Sequence, residues 1–468
     1  MYLRIDERPA DRIAVVEDTG RSYTFGDLRG FVEEFASWIP ARSLIFILCQ
    51  NTMGAFAAHV ASIEKKIVPL MISSHMDAML RNTLIETYKP EFLWMPEWLL
   101  PEFPDGEVLA RKFDYALIRT GYAPAKLYED LAMLLTTSGS TGSPKLVRHR
   151  YRNLYANAEN VAAFFGFNEN DRSLIDLQLH YTMGLNVACS SLYAGATLIM
   201  TTKNVMDKQY WEYFKAQRVT NITGVPYTYE MLKKLRFFRM DLPHLRIVAE
   251  GGGRLTDELF REVATYARDT GKQFFATFGT SETTARLAFL PPECALERIG
   301  SIGKAIPHGR LSLIDDDGSK IEQAEATGEL VYSGENVTLG YALNAEDLLK
   351  GDERHGVYRT GDLAHRDADG FYYIIGRKSR FLKLFGFRVG LDESERLIRT
   401  QFGIECACTG NDERMLIFVT APDMESRIRK FMAEKTGILV SAFAVRQVAQ
   451  IPKNEVGKIL YSKLMEEA

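Results

Sequence analysis

The sequence predicts an α/β protein with largely parallel, buried sheets, followed by a small α+β unit. Three observations carry that reading. Apolar runs alternate with helical stretches up to about Gly300, Asp/Gly-punctuated strands take over there, and a basic, glycine-broken segment precedes a last compact stretch. In the first region SLIFILCQ (Ser43 to Gln50) is strand-like, and AFAAHVASIEKK after it has helical spacing. IVPLM (Ile67 to Met71), DAMLRNTLIETY and FLWM (Phe92 to Met95) repeat the alternation. So do ATLIM, KQYWEYFKAQR and NITGV, and then LRIVAEGGG, LTDELFREVATYARDT and QFFATFG. Continuous apolar strands separated by helices are what a parallel sheet covered on both faces requires. Beyond Gly300, RLSLIDDDGS, TGELVYSG and GFYYIIGR read as a small antiparallel sheet. GRKSRFLKLFGFRVG (Gly376 to Gly390) leads into ESERLIRTQF, MLIFVTA, ESRIRKFMAEKTG and AFAVRQVAQ, an α+β pattern. A boundary near Gly376 to Arg380 divides the chain into 1–376, a hinge at 377–380, and 381–468.

Composition excludes several classes. The 468 residues, 46% hydrophobic and 25% charged, suit a globular enzyme of two or three domains. A net charge of −4 supplies no basic field for nucleic acid or an anionic membrane. Five scattered cysteines, among them only a CxC pair at Cys406 and Cys408, form neither a disulfide framework nor a zinc site. The start of the chain lacks an apolar leader, and no run approaches the ~18 apolar residues of a membrane span. The expectation is a soluble, cytoplasmic protein with reduced thiols.

Four segments carry chemistry. LLTTSGSTGSPKLV (Leu134 to Val147) holds hydroxyls at Thr136, Thr137, Ser138, Ser140, Thr141 and Ser143, glycines at Gly139 and Gly142, and Lys145. Glycines let backbone N–H groups turn toward an anion and the lysine adds a point charge, so the loop is built for phosphate. It is not a Walker A loop, because Ser-Pro-Lys rather than Lys follows Gly142. In TFGTSETTAR (Thr277 to Arg286), Phe278 before Gly279 suits a base ring, and Glu282 is a hard oxygen donor suited to magnesium riding on phosphates. In VYRTGDLAHRDADGFYYIIGR, Asp362 follows Gly361 where a carboxylate can accept both hydroxyls of a ribose, and Arg377 closes the segment. In IPKNEVGKILYSK, Lys458 follows Gly457 and could neutralise a developing phosphate charge. The sequence has no DFG motif, and its HRD tripeptide, His365 to Asp367, lacks the asparagine five residues on that a kinase catalytic loop requires, Tyr372 standing there.

Together and in this order the segments resemble the adenylate-forming superfamily of acyl- and aryl-CoA synthetases, peptide-synthetase adenylation domains and firefly-type luciferases. The resemblance runs from SYTFGDLRGFVEEFASWI (Ser22 to Ile39) to the C-terminal lysine and includes GELVYSGENVTLGY, YRTGDL and PKNEVGKI. It implies a large N-terminal domain of αβαβα-layered sheets with a small β-barrel-like subdomain, then a small mobile α+β domain. It implies ATP and Mg2+ as cofactors, with a substrate carboxylate attacking the α-phosphate to give an acyl-adenylate and pyrophosphate. Thr137, Ser138, Gly139, Ser140, Thr141, Gly142 and Lys145 would line the triphosphate. Glu282 would hold the metal, with Ser281 near the α-phosphate. Phe278, Gly279, Thr280 and the run Gly251, Gly252, Gly253 would hold adenine. Asp362 and Arg377 would take the ribose, and Lys458 would bridge carboxylate and α-phosphate. Rotation about the hinge at Ser379, where the family usually has aspartate or lysine, would bring up a second face with Lys383, Gly386, Phe387 and Arg388 for a thiol acceptor. Two other departures are serine for threonine at Ser281 and Leu146 where a glycine is common.

The acid is addressed by DLQLHYTMGLNVACSSLYAGA, which resembles the acyl- and aryl-acid branch through His180 and Gly184. Amino-acid-activating members usually place an aspartate near His180. Asp176 lies four residues earlier, so amino-acid adenylation with loading onto a carrier protein stays open. So does a non-catalytic nucleotide binder. Tyr181, Met183, Gly184 and Tyr227 are the expected pocket wall. The acceptor is coenzyme A or the phosphopantetheine of an acyl carrier protein. Arg377, Lys378, Arg380, Lys383 and Arg388 offer a basic rim that suits either.

Overall fold

The computed structural model describes residues 1–136, 145–378, 380–384, 387–411, 413–453, 457 and 459–466. The chain forms two compact units, Met1–Arg310 with Tyr332–Tyr358 and Leu311–Val331 with Arg359–Ala468.

The first unit is built on two large sheets. Among the described residues, one has eight strands in the order Gly340–Ala342, Leu146–Arg150, Leu131–Thr136, Val68–Ser73, Leu44–Cys49, Phe92–Pro96, Tyr115–Arg119, Glu107–Lys112. Its centre is parallel and its edges antiparallel. The other has nine, running from Lys304–Ala305 at one edge through Gln273–Phe278, Ile247–Glu250, Asn221–Gly224, Arg172–Ile175, Thr197–Met200 and Ile13–Glu17. These six longer strands are parallel throughout. The continuous apolar runs account for this: all six residues of LIFILC are buried, as both faces of a covered parallel sheet demand.

Helices fill the space between the sheets. The helix Met53–Glu64 is buried on every side from Met53 to Ile63. Its Ala-rich sequence keeps it thin enough to sit between two sheets. One core cluster joins Ile45, Ile47 and Met71 of the first sheet to Val15, Leu198 and Met200 of the second through this helix and the helices Phe25–Trp38 and Thr182–Tyr193. Trp94 is its largest member. Its Nε1 donates to Gly54 O at 2.8 Å, and its ring lies against Phe31, Phe35, Trp38 and Tyr115.

The second unit contains the antiparallel sheet Arg310–Ile314, Ala326–Ser333, Val357–Arg366, Tyr372–Arg377, whose outermost residues Arg310, Tyr332, Ser333, Val357 and Tyr358 belong to the first. It continues through the hairpin Phe381–Leu384 and Phe387–Gly390 to a three-stranded sheet, Cys406–Asn411, Arg414–Val419 and Phe443–Gln447. The helices Leu391–Phe402 and Glu425–Thr436 cover one face of that sheet, where Ile398, Ile428 and Met432 join Ile417 in a second core. The other face takes Ile451 and Leu464 against Ala407 and Phe418. The strands and helices named from the sequence appear in the expected order, among others it did not name.

Trp94→Ala should cost about 3–5 kcal/mol, the range for an aromatic removed from a close-packed core. Denaturant unfolding of the purified chain measures it. A loss below 1 kcal/mol would show that the inter-sheet layer does not depend on this ring.

Candidate active site

The ends of the loop expected to hold phosphate are pinned by pairing. Thr136 stands opposite Leu146 in adjacent antiparallel strands, and Val147 stands opposite Tyr341 of the edge strand Gly340–Ala342. Thr137, Ser138, Gly139, Ser140, Thr141 and Gly142 lie outside the described residues. Lys145 lies within them, its Nζ 3.5 Å from the centre of the Tyr341 ring. The Tyr341 hydroxyl donates to Glu282 Oε1 at 2.7 Å. Burial first, and the Glu282 charge second, raise that phenol to about 12, so it remains a donor. The loop lysine and the candidate metal carboxylate therefore converge on one side chain.

Glu282 sits in the short turn Ser281–Thr283 after the strand Gln273–Phe278. Its carbonyl oxygen accepts from the N–H and the hydroxyl of Thr338, both at 3.0 Å. Arg354 donates to the same hydroxyl and stacks on Tyr341 and Tyr358, 4.6 and 4.9 Å from their ring centres. The turn is tight. A methyl group on Gly279 would lie 1.5 Å from Ala285 O, so no other residue fits there. Among the described residues no three His, Cys, Asp or Glu side chains gather as a metal cluster. One hard carboxylate fits magnesium, which takes most of its ligands from phosphate and water.

The acid-side residues flank this turn. Ser281 Oγ and Thr182 Oγ1 are 2.7 Å apart, joining the turn to the start of the helix Thr182–Tyr193. That helix starts hard against the chain before it: a methyl on Gly184 would meet Gln178 O at 2.4 Å. Gly251, Gly252 and Gly253 follow the strand Ile247–Glu250, with Met183 beside the first two and Pro226 beside the third. Phe278 and Thr280 are half-buried next to Gly279, and Tyr181 is half-buried while Tyr227 is exposed. His180 is buried against the Tyr181 ring, and burial lowers its imidazole to about 4. Asp176 accepts from the buried Tyr210 hydroxyl at 2.7 Å, and burial raises its carboxyl.

A buried polar relay below the site has no counterpart among the sequence expectations. Arg286 donates from Nη1 to Asn186 Oδ1 at 2.6 Å and from Nε to Thr277 Oγ1 at 3.2 Å. Asn186 Nδ2 donates to Asn157 Oδ1, and Thr277 Oγ1 donates to Glu250 O at 2.7 Å. Burial pushes the Glu250 carboxyl up to about 8 and Arg286 down to about 9, each partly offset by the other. The available signal was a charge after each of two apolar stretches, Glu250 before the glycine run and Arg286 just after TSETTA.

In the second unit Asp362 and Arg377 face each other across adjacent antiparallel strands, Oδ1 and Nε 2.7 Å apart. Asp362 is buried and Arg377 exposed, at 3% and 53% of their side chains. Lys383 stands opposite Arg388 and Leu384 opposite Phe387 in the hairpin. Gly386, Ser379 and Lys458 lie outside the described residues. The chain on either side of Lys458 is held by an antiparallel bridge between Lys453 and Ile459.

The basic rim expected from the sequence loses two members. Arg380 donates to Glu395 at 2.9 Å, to Cys408 O at 2.9 Å and to Tyr461 Oη at 2.7 Å, and also pairs with Asp392. Lys378 pairs with Glu329 at 3.2 Å and Asp316 at 3.4 Å. Both charges are spent inside the second unit.

The AMP-binding enzyme family matches residues 3–342, and the chain belongs to it. An indoleacetate–CoA ligase of Aromatoleum aromaticum is 29% identical over 357 residues, 72% of this chain and 68% of the relative. A 2-succinylbenzoate–CoA ligase of Bacillus licheniformis is 28% identical over 433 residues, 89% of this chain and 88% of the relative. In fold, the chain is similar to the O-succinylbenzoate coenzyme A synthetase of Bacillus subtilis solved with ATP and magnesium. That match has a TM-score of 0.80 at 21% identity and covers 99% of each chain.

The lowered His180 pKa has a consequence for stability. Because it lies near 4, below the 6.5 of a free imidazole, the stability due to the neutral ring is complete above pH 6.5 and lost as pH falls toward 4. The loss is on the order of 3 kcal/mol. His180→Gln should therefore lose less stability than the parent between pH 7.5 and 4.5, read as melting temperature. An identical pH dependence in the two proteins would exclude a buried neutral His180.

Proposed function

We propose that the chain activates a carboxylic acid with ATP and passes the acyl group to the thiol of coenzyme A. The observation that carries this is the convergence of Lys145 and Glu282 on Tyr341. That arrangement puts one fixed cation and one fixed anion at the mouth of a phosphate loop, in a chain of the AMP-binding family. In the first step a carboxylate oxygen attacks the α-phosphorus and the bond to the β-phosphate oxygen breaks, releasing pyrophosphate. Lys145 and the loop backbone hold the leaving group, while Lys458 approaches the α-phosphate and the attacking carboxylate. Magnesium at Glu282 supplies further charge neutralisation on the phosphates when bound. Asp362 and Arg377 orient the ribose. Such positioning and charge stabilisation is most of what adenylyl transfer asks of a protein. In the second step the thiol sulfur attacks the acyl carbon, AMP leaves and the thiol proton is lost. Residues 381–468 turn about Ser379 between the steps, exchanging Lys458 for the face with Lys383, Gly386, Phe387 and Arg388.

Amino-acid activation is the weaker reading. Asp176, the carboxylate it would need, is committed to Tyr210. The names of the relatives also favour acids without an α-amino group.

Lys458→Ala should lower acid-dependent ATP–pyrophosphate exchange about 10²–10³-fold and leave nucleotide binding intact, the cost of losing one charge-stabilising donor. Near-normal exchange would remove Lys458 from the mechanism. ADP in place of AMP as product would overturn the ligase reading itself, and thioester formed on a carrier protein but not on coenzyme A would overturn the acceptor.

A further inference from the structure

A cavity of about 20 Å³ lies within the first unit, room for about one water-sized group. Its wall includes Tyr2, His59, Asn157, Thr182, Asn186 and Cys189. Thr182 ties it to the candidate active site, since its hydroxyl is 2.7 Å from Ser281 Oγ, next to Glu282. None of the pocket residues expected from the sequence, Tyr181, Met183, Gly184 or Tyr227, lines it.

The relay behind the wall decides what the cavity offers. A guanidinium can only donate, so Arg286 Nη1 fixes Asn186 with its Oδ1 toward the arginine. Asn186 must then present Nδ2 to Asn157, whose Oδ1 accepts. That leaves Asn157 Nδ2 as a donor, and it has no acceptor among the described residues. Asn157 is 2% exposed, and a buried amide donor left unpaired is costly. The rest of the polar wall is uncharged. Tyr2 Oη and His59 Nε2 each lie 3.6 Å from Cys189 Sγ. Burial holds the imidazole near 3 and the thiol near 12, so both are neutral. A second carboxylate would enter such a wall without a cation on it, at high cost.

Building on the acid-activation reading, we propose that this cavity is the distal end of the acid site. The substrate is then a carboxylic acid with a neutral acceptor oxygen, a hydroxyl or a carbonyl, to which Asn157 Nδ2 donates. Asn157 acts as the specificity-determining residue, and Arg286 and Asn186 are positioning residues that fix which end of its amide faces the cavity. A site built to donate to an oxygen discriminates strongly against the analogue that lacks it.

The test uses the full chain and matched acid pairs in ATP–pyrophosphate exchange: benzoate with its 3- and 4-hydroxy derivatives, and hexanoate with 5-oxohexanoate. For at least one pair the parent should favour the oxygenated member in kcat/KM by roughly tenfold or more. In Asn157→Leu that ratio should fall to near one, and Asn157→Ala serves if the leucine variant fails a melting-temperature check. Arg286→Met should also erode the ratio, by releasing the amide orientation. A parent that turns over every acid without regard to the oxygen, or an unchanged ratio in the Asn157 variants, overturns the subsite alone. Silence toward every acid overturns acid activation and the subsite with it.

Discussion

A helix pressed between two sheets, as Met53–Glu64 is, has no side open to water, and the core of the first unit depends on that constraint. Apolar residues meet it with no further provision, as the fully buried helix Met53–Glu64 does. A polar residue meets it only through a partner, because an unpaired buried group costs about as much as several apolar contacts return. His59, Asn157 and Asn186 all lie in this layer or its walls, Glu250 ends the strand Ile247–Glu250, and Arg286 lies buried two residues before the strand Ala288–Leu290. The hydrogen bonds through Asn186 to Asn157, and through Thr277 to the Glu250 carbonyl, run in one direction, from a guanidinium that can only give. The direction of an amide deep in the protein is thereby set by a residue on another element.

The side proposed to hold nucleotide is governed by the opposite condition, charge that must stay available. Tyr341 satisfies it by holding Glu282 with its hydroxyl and Lys145 with its ring, and among the described residues neither charge is neutralised by a direct ion pair. Thr338 and Arg354 fix the carbonyl of Glu282 and the faces of the tyrosine ring, so the carboxylate is oriented through its own backbone. The contrast with Arg380 is instructive. It has four partners within the second unit and no charge left to offer.

Much of this was legible in the sequence, for physical reasons that differ by region. The parallel strands announce themselves because burial on both faces forces continuous apolar runs such as LIFILC. Gly184 and Gly279 are legible as glycines but not as close approaches, since the atoms they avoid belong to Gln178 and Ala285 in the folded loops. Glu282 and Lys145 stand out by motif, whereas their shared partner Tyr341 lies 59 residues beyond Glu282 on an edge strand that pairs with the loop's own exit. Arg380 reads as one more basic residue in a basic stretch, and only the return of Tyr461 from the far end of the chain shows where it is used. Asn157 and Asn186 look like ordinary polar positions on helices. Their meaning comes from Arg286, and sequence separation of 100 residues or more hides that link.

The hydroxyl pair Thr182 and Ser281 joins the helix proposed to wall the acid site to the turn that carries Glu282, the candidate metal carboxylate. Changes that reshape the helix for a new acid are therefore transmitted to the reacting centre through one short contact. Under the proposed function, selectivity and turnover in this chain are then not independent traits. A lineage that adopts a larger or differently decorated acid must repair its rate as well, and the repairs should gather on the Ser281–Thr283 turn rather than in the pocket that changed.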